Sequence, residues 1–535
     1  MVAQRHRFFR LSTRSFGSAG AHRSLPEVTS TAMTLVESII LGLYFLVMGV
    51  LSLYGSHRYV MAFLYYRHKF KLATPQGRLK ALPKITIQLP IFNEMYVVER
   101  LINAVCAIDY PRQLLEIQVL DDSTDETVQI ARACVDRQRA RGLDVVYLHR
   151  ENRSGYKAGA LEAGLAVAKG EFVAVFDADF VPSPDFLMKT VPFFVDPRVG
   201  MVQVRWGHIN RAYSSLTEAQ SIFLDGHFMI EHTARNRSGR FFNFNGTAGI
   251  WRRQTILDAG GWQHDTLTED LDLSYRAQLA GWKFLFLPDV ESPAEVPVEM
   301  TAFKSQQHRW AKGSIQTARK LLPTILKSKL PFAVKQEAFF HLTANVAYLL
   351  MVVLSVLMPI SMVIRFRHGW YGVLLLDFPF FITATASVCF FYFASQKEMG
   401  RSGWESLKYV PFVMSLGIGM SLSNARAVLE ALLGQESGFT RTPKLGVVGA
   451  NESLAKKRYR GRSLGALPWV ELAFGGYLTL AVWFSLANAI WFSLPFLVLF
   501  QVGFIYVGLM TLTQGLMARV ARHRDEPAGA PELSA

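Results

Sequence analysis

The sequence predicts a two-part α/β chain: a doubly wound, mostly parallel sheet domain joined to an α-helical transmembrane region. Three observations predict it. Between Ala81 and Asp179, branched apolar runs of strand length alternate with runs of helical spacing, in repeats of roughly 30 residues that mark successive βα units. On both sides of that domain lie apolar runs near the roughly 20 residues that cross a bilayer core. The composition fits the same division, since 50% of the 535 residues are apolar while 19% are charged.

Residues 1–32 carry five arginines and no acid before Glu27, and read as a basic, disordered tail. The run from Met33 to about Tyr54 is too long for a signal-peptide core and shows no clear small-residue cleavage site, so it reads as a retained transmembrane helix. In the soluble domain, placed at residues 81–322, Ile85–Leu89, Ile117–Leu120, Val145–Leu148 and Phe172–Phe176 suit strands buried on both faces. Met95–Ala107, Asp125–Arg141 and Lys157–Ala168 read as the intervening helices. Ligands of such sheets bind beyond the carboxyl ends of the strands, and the acidic motifs fall there.

Beyond Leu330 the chain turns apolar. Residues 330–395 are read as an interfacial segment followed by a hairpin of spans, Phe339–Ile364 and Trp370–Phe393. Leu467–Leu486 and Ile490–Leu512, turning at Asn488 within residues 467–515, form a second hairpin, and residues 516–535 a disordered tail. Between the hairpins (residues 408–466), Val410–Leu433 is apolar but carries Arg426 and Glu430, and basic residues flank it on both sides. A single crossing cannot put both basic flanks inside, so the stretch reads as interfacial or re-entrant. This topology leaves the amino terminus outside if the soluble domain is cytosolic, whereas the terminal arginines favour the inside. The net charge of +15 is spread along the flanks of apolar runs, which fits anionic lipid rather than nucleic acid. Cys106, Cys134 and Cys389 have neither metal-ligand nor disulfide spacing.

Several motifs carry chemistry. Asp121-Asp122, in Leu-Asp-Asp-Ser-Thr-Asp at a strand end, either hydrogen-bonds the base and ribose of a nucleotide or forms a solvated turn in which Ser123 or Thr124 caps the next helix. Asp177-Ala178-Asp179 closes the strand Phe172–Phe176. A bend there lets both hard carboxylates approach one Mg²⁺ or Mn²⁺, which would neutralise a diphosphate. Lys157, beside Gly155 and Gly159 at a helix start, is placed either to approach phosphate or base or merely to begin the helix. Thr268-Glu269-Asp270 leads into the amphipathic run Leu271–Leu279. It is either first-turn capping or a site where Asp270 takes a proton from a hydroxyl. Gln306-Gln307-His308-Arg309-Trp310 offers a guanidinium for phosphate and an indole face for a sugar ring, or an interfacial tryptophan with a snorkelling arginine. Phe439-Thr440-Arg441-Thr442-Pro443-Lys444 lies in the basic loop after the interfacial stretch.

Together these motifs resemble the family-2 glycosyltransferases of GT-A fold, in particular the membrane-integrated, cellulose synthase-like group. The match is in order as well as content: Asp-Asp, Asp-x-Asp, Thr-Glu-Asp, Gln-x-x-Arg-Trp and Phe-x-x-Thr-x-Lys. It covers Pro83–Leu322 strongly and the membrane region loosely. Phe244-Asn245-Gly246-Thr247 and the Phe-Thr-Arg-Thr-Pro-Lys string look closest to the cellulose synthase-like A, glucomannan mannosyltransferase-like branch and its bacterial relatives.

The resemblance implies that Asp121, Asp122 and Lys157 face the nucleoside and that Asp177 and Asp179 hold metal and diphosphate. It makes Asp270 the base with Glu269 in support, and puts Gln306, Arg309 and Trp310 at the acceptor end. Phe439, Thr442 and Lys444 then close over the donor, with Arg441 where the family usually has valine. The implied enzyme is an inverting glycosyltransferase of a bacterial plasma membrane with its catalytic domain cytosolic. It would draw on UDP-glucose or GDP-mannose to extend a β-linked mannan- or glucan-like polysaccharide and couple this to export. A lipid glycosyltransferase similar to ceramide glucosyltransferase, adding one or few sugars to a lipid acceptor, is the alternative. A transporter or binding protein would leave the acidic and aromatic motifs unexplained. Nothing resembles the carboxy-terminal β-barrel of cellulose synthases regulated by cyclic di-GMP, so regulation of that kind is not expected. There are also fewer spans than in cellulose synthases.

Overall fold

The computed structural model of the chain describes residues 33–370, 376–436, 438, 441–449, 457 and 465–525. The tail expected at residues 1–32, residues 526–535 of the tail expected at 516–535, and Phe439 of the basic loop lie outside the described residues. Residues 516–525, expected in that tail, instead continue the last helix, which runs to Asp525.

All four expected strands are present: β1 (Ile85–Ile91), β2 (Leu115–Asp121), β3 (Asp144–His149) and β4 (Phe172–Val175). Three more follow, β5 (Val199–His208), β6 (Gly249–Arg252) and β7 (Lys283–Ala294), giving a seven-stranded sheet in the order β3-β2-β1-β4-β6-β5-β7. All pairings are parallel except those of β6, which runs antiparallel to β4 and β5. β1 and β2 are buried, and their polar residues satisfy one another at matched register. Thr86 donates to Glu116 at 2.7 Å and Gln88 to Gln118 at 3.0 Å, which removes the cost of burying unpaired polar groups.

Helices α2 (Val98–Cys106), α3 (Thr127–Ala140) and, after α4 (Tyr156–Val167), α5 (Phe186–Thr190) alternate with the first four strands. Leu101, Ile102, Cys134 and Phe186 cover one face of the sheet. Leu161 and Leu165 of α4, Ile256 of α8 (Arg253–Asp258) and Leu273 of α9 (Glu269–Leu279) cover the other. Each fully buried aliphatic side chain contributes roughly 1.5–3 kcal/mol. Because β6 is reversed, the loop that enters it, Asn245–Ala248, meets the carboxyl ends of β1, β2, β4, β5 and β7 at one edge of the sheet.

α1 (Leu35–His68) is longer than the expected span, about 50 Å at helical rise. Its last turns bury Met61, Ala62 and Tyr65 in a cluster with Leu216 and Ile222 of α6 (Ser215–Asp225). α7 (Thr233–Arg237) follows a π-helical segment, Gly226–His232. α10 (Met300–Lys327) then runs between the sheet domain and the membrane helices.

The run expected as one span from Phe339 is two helices, α11 (Phe332–Thr343) and α12 (Val346–Arg367). Glu337 of α11 is buried between Arg235 of α7 and His57 of α1, each at 2.9 Å, so α11 is anchored by polar contacts to both the sheet domain and the first span. α13 (Asp377–Phe381) and α14 (Ser387–Glu398) follow, then α15 (Gly403–Gly419), α16 (Ser421–Leu432), α17 (Leu467–Ala487) and α18 (Leu494–Asp525).

Among the described residues five helices are long and apolar enough to cross a membrane, or six if the bent pair α15–α16 counts as one. That pair bends by 42°. Its first turn packs on α14 through Phe393 and Trp404, and its last is tied to α10 by Lys312–Glu430 at 3.0 Å. α10 is fixed to the spans by a fully buried ion pair, Lys304 Nζ to Glu471 Oε2 of α17 at 2.6 Å, with Thr511 of α18 accepting a second bond at 2.8 Å.

Replacing Lys304 by Met leaves Glu471 buried without its cation, and stability should fall by about 3–5 kcal/mol. The thermal midpoint of detergent-solubilised protein reads this loss, and K304M/E471L recovers most of it. An unchanged midpoint in K304M contradicts the role given to the pair.

Candidate active site

The carboxyl edge of the sheet opens into a cavity of about 1230 Å³, mouth included, lined among others by Asp122, Lys157, Asp177, Asp179, Glu269, Asp270, Gln306, Arg309, Trp310, Thr442 and Lys444. Every motif singled out in the sequence contributes to this one wall.

The neighbouring carboxylates at the end of β2 part company. Asp122 lines the cavity and is gripped by Arg150, Nε to Oδ1 at 2.8 Å and Nη2 to Oδ2 at 2.5 Å. Asp121, expected beside it, is fully buried behind the wall. It accepts bonds from the Ser123 amide at 2.8 Å and the Tyr147 hydroxyl at 2.5 Å, and so fixes the turn that presents Asp122. Neither Ser123 nor Thr124 caps α3. The Arg153 guanidinium stacks 3.4 Å over the Phe92 ring and also lines the cavity.

At the end of β4 the chain turns, with the Phe180 amide donating to the Asp177 carbonyl at 3.1 Å. The turn brings both acids of Asp177-Ala178-Asp179 to the cavity. Lys157, the second residue of α4, donates to Asp177 Oδ1 at 2.5 Å and to the Gly246 carbonyl at 2.9 Å, and its Nζ lies 4.0 Å from Glu269. Lys444 from the basic loop forms an ion pair with Asp179. Burial pushes the Asp177 carboxyl up, but Lys157, Lys444 and Arg309 outweigh it and hold Asp177 below the usual carboxylate range.

Asp270 has the opposite balance. Burial, then the neighbouring Glu269 charge, raise its proton affinity well above the ordinary carboxylate value, against the pull of Lys157. Its Oδ1 accepts the Leu271 amide at 2.8 Å at the start of α9. Thr268 makes no cap with its side chain, so the motif is not a simple helix start.

Two glycines permit the approach of these groups. A Cβ on Gly246, whose φ is +78°, would stand 2.9 Å from Asp270 Oδ2, and one on Gly313 would stand 2.5 Å from Thr268 Cγ2. Gly313 follows Gln306 and Arg309 by seven and four positions. At helical spacing these three share one face of α10, so that face both contacts α9 and carries two cavity residues.

The basic loop covers the mouth. Thr442 and Lys444 line the cavity, and Arg441 forms a paired bond with Glu94, Nε to Oε1 at 3.1 Å and Nη2 to Oε2 at 2.9 Å. Burial pushes Glu94 up to about 7 despite the pull of Lys444 and Arg441. The Gly446 amide donates to Glu295 at 3.0 Å. Glu94, Arg150, Arg153, Trp206, His208, Asn245 and Glu295 were not anticipated as site residues. Glu94 had a legible signal, because Phe92-Asn93-Glu94 directly follows β1 at the ligand edge.

Among the described residues no three His, Cys, Asp or Glu side chains converge as a metal cage. Two aspartates on one turn fit instead a hard cation that shares its remaining positions with a diphosphate and water.

A family model described as glycosyltransferase-like family 2 matches residues 83–313. Glucomannan 4-beta-mannosyltransferase 1 of Oryza sativa subsp. japonica is 34% identical over 457 residues, covering 81% of this chain and 84% of that one. Glucomannan 4-beta-mannosyltransferase 2 of Arabidopsis thaliana is 44% identical over 270 residues, 49% of this chain and 51% of that one. A mannosyltransferase from Pyrobaculum calidifontis, solved in complex with GDP-Man and Mn²⁺, aligns with a TM-score of 0.47 at 22% identity, over 75% of this chain and 100% of that chain.

Gly246→Ala should lower kcat about 10²-fold by displacing the Asp270 carboxylate, with thermal midpoint and circular dichroism close to wild type. An unchanged kcat contradicts the close fit.

Proposed function

The chain belongs to the family-2 glycosyltransferases, and from that premise we propose that it is a processive, inverting mannosyltransferase extending a β-linked, mannan-type polysaccharide from GDP-mannose. It is an integral membrane protein with several spans, and its sheet is GT-A-like. One observation carries the proposal: Asp177 and Asp179 are neutralised by lysines, while Asp270, in the same cavity, keeps a raised proton affinity. Diphosphate binding and proton removal thus fall to separate carboxylates.

In this reading Asp122 and Arg153 border the nucleoside, with Asp121 and Lys157 in support. Asp177 and Asp179 would hold Mg²⁺ or Mn²⁺, which when bound supplies positive charge to the diphosphate. Asp270 takes the proton of an acceptor hydroxyl, with Glu269 raising its basicity. The acceptor oxygen bonds to the anomeric carbon as the carbon–oxygen bond to phosphate breaks, and that electron pair leaves with the nucleoside diphosphate. A single displacement inverts the centre and gives a β linkage. Lys157, Arg309 and Lys444 balance the departing charge. Gln306 and Trp310 border the acceptor, and Thr442 and Lys444, with Phe439, close the mouth. α15 and α16 lie along the interface, supported by the ties of their ends to α14 and α10, which lets the basic loop return to the cavity. The spans carry the product away. The curated relatives are plant proteins, so they lend no support to the bacterial plasma membrane expected from the sequence.

Membranes containing the protein, given Mn²⁺ and sugar-labelled GDP-mannose or UDP-glucose in turn, test this directly. GDP-mannose should yield a polymer cleaved by endo-β-mannanase. A short, organic-extractable glycolipid alone would favour the lipid-acceptor alternative and remove the polymerase. Asp270→Asn should lower kcat by about 10²–10⁴-fold. Because the base works unprotonated, wild-type kcat/KM should rise with pH through a pKa above the usual carboxylate range. Glu269→Gln removes a neighbouring negative charge, so the same limb should move to lower pH. A limb that stays in place or moves upward would show that Asp270 is not the titrating base.

A further inference from the structure

The mechanism leaves one buried, oriented group in the cavity wall without a task. Trp206 and His208 alternate on one face at the end of β5, and both line the cavity. The His208 side chain is 5% exposed, and its Nε2 lies 3.1 Å from Asp225 Oδ1. Asp225 is itself fixed: its Oδ2 accepts from Arg211 at 2.6 Å and from Gln396 at 2.9 Å, and Arg211 also donates to Gln396 Oε1 at 2.8 Å. Burial pushes the Asp225 carboxyl up, but His208, Arg211 and Gln396 hold it far below the ordinary range. Facing a carboxylate, Nε2 carries a proton and donates it. The ring orientation is thereby set, and Nδ1, which makes no hydrogen bond among the described residues, is the polar atom left for the cavity.

The sheet says which part of the substrate this atom meets. Strands are spaced about 4.8 Å apart, and the order β2-β1-β4-β6-β5 lays the site out in sequence. The nucleoside groups stand at β2 and β1, the diphosphate acids at β4, and the loop entering β6 faces Asp270. The end of β5 runs on beyond its pairing with β6: Trp206 packs on Phe180, the residue after Asp179, at 5.3 Å. His208 is tied through Asp225 of α6 to Gln396 of α14, on the membrane side of the cavity, where α10 carries Gln306 and Trp310.

Resting on the proposed function, we infer that His208 is a specificity-determining residue of the acceptor subsite, its Nδ1 hydrogen-bonding a hydroxyl of the acceptor pyranose beside Trp206. Asp225 is the positioning residue that fixes the imidazole. A sugar hydroxyl both donates and accepts, so it can pair with this nitrogen whether or not the nitrogen carries a proton.

The test is the partition of donor between transfer and water in purified enzyme, using sugar-labelled GDP-mannose, or UDP-glucose if the wild type incorporates that instead. His208→Phe keeps the volume and removes the polar atom. The share of donor lost to hydrolysis should rise about tenfold, the effect of one hydrogen bond worth ~1.4 kcal/mol, while donor KM stays within about twofold. His208→Asn returns a polar amide close to the Nδ1 position and should recover most of the wild-type partition. An unchanged partition in H208F overturns the inference. So does an equal loss of transfer and hydrolysis in both variants, which marks a structural role. Failure of the wild type to incorporate either sugar would count against the proposed function itself.

Discussion

Seven carboxylates line one cavity, and the crowding of four of them, Asp177, Asp179, Glu269 and Asp270, is the constraint on which the rest of this structure depends. Like charges at such separations raise one another's proton affinity, and the site is built to distribute that repulsion unevenly. Lys157 bonds Asp177 and approaches Glu269, and Lys444 pairs with Asp179. The proton affinity of Asp270 is raised by burial and then by the neighbouring Glu269 charge, which the pull of Lys157 does not offset. The proposed division of labour between a diphosphate-binding pair and a base follows from where two lysines sit and from how deeply Asp270 is buried.

Those lysines have different origins, and this ties the membrane region to the chemistry. Lys157 belongs to α4 of the sheet domain. Lys444 arrives from the basic loop beyond α16, which is held to α10 by Glu430. α10 presents Gln306, Arg309 and Trp310 to the cavity on one side and buries Lys304 against Glu471 of α17 on another. A shift of the membrane helices therefore reaches the cavity wall through one rigid helix. His208 is linked similarly, because Gln396 of α14 completes the Asp225 network.

Much of this was legible in the sequence. The first four βα units and the ordered acidic motifs depend on local patterns, namely strand-length apolar runs and acids at strand ends. β5, β6 and β7 were harder. Val199–His208 mixes Gln203, Arg205 and Trp206 into its apolar run, and Gly249–Arg252 has only four residues. Their strand character comes from sheet partners distant in sequence. The separation of Asp121 from Asp122 was also invisible, because it depends on Tyr147 and Arg150 arriving from β3 and the turn after it. The anchoring of α11 depends on Arg235 and His57 meeting Glu337, three residues far apart in the chain. Arg441, noted as a departure from the family's valine, finds its reason in Glu94.

In the proposed function Lys444 balances Asp179 until the donor arrives with its own cation. Titrating Mn²⁺ into the purified enzyme without nucleotide, wild type against Lys444→Met, tests it most directly. If Lys444 competes for Asp179, removing its charge tightens Mn²⁺ binding while nucleoside diphosphate binding weakens. Mn²⁺ binding that weakens or does not change in K444M would contradict this charge balance.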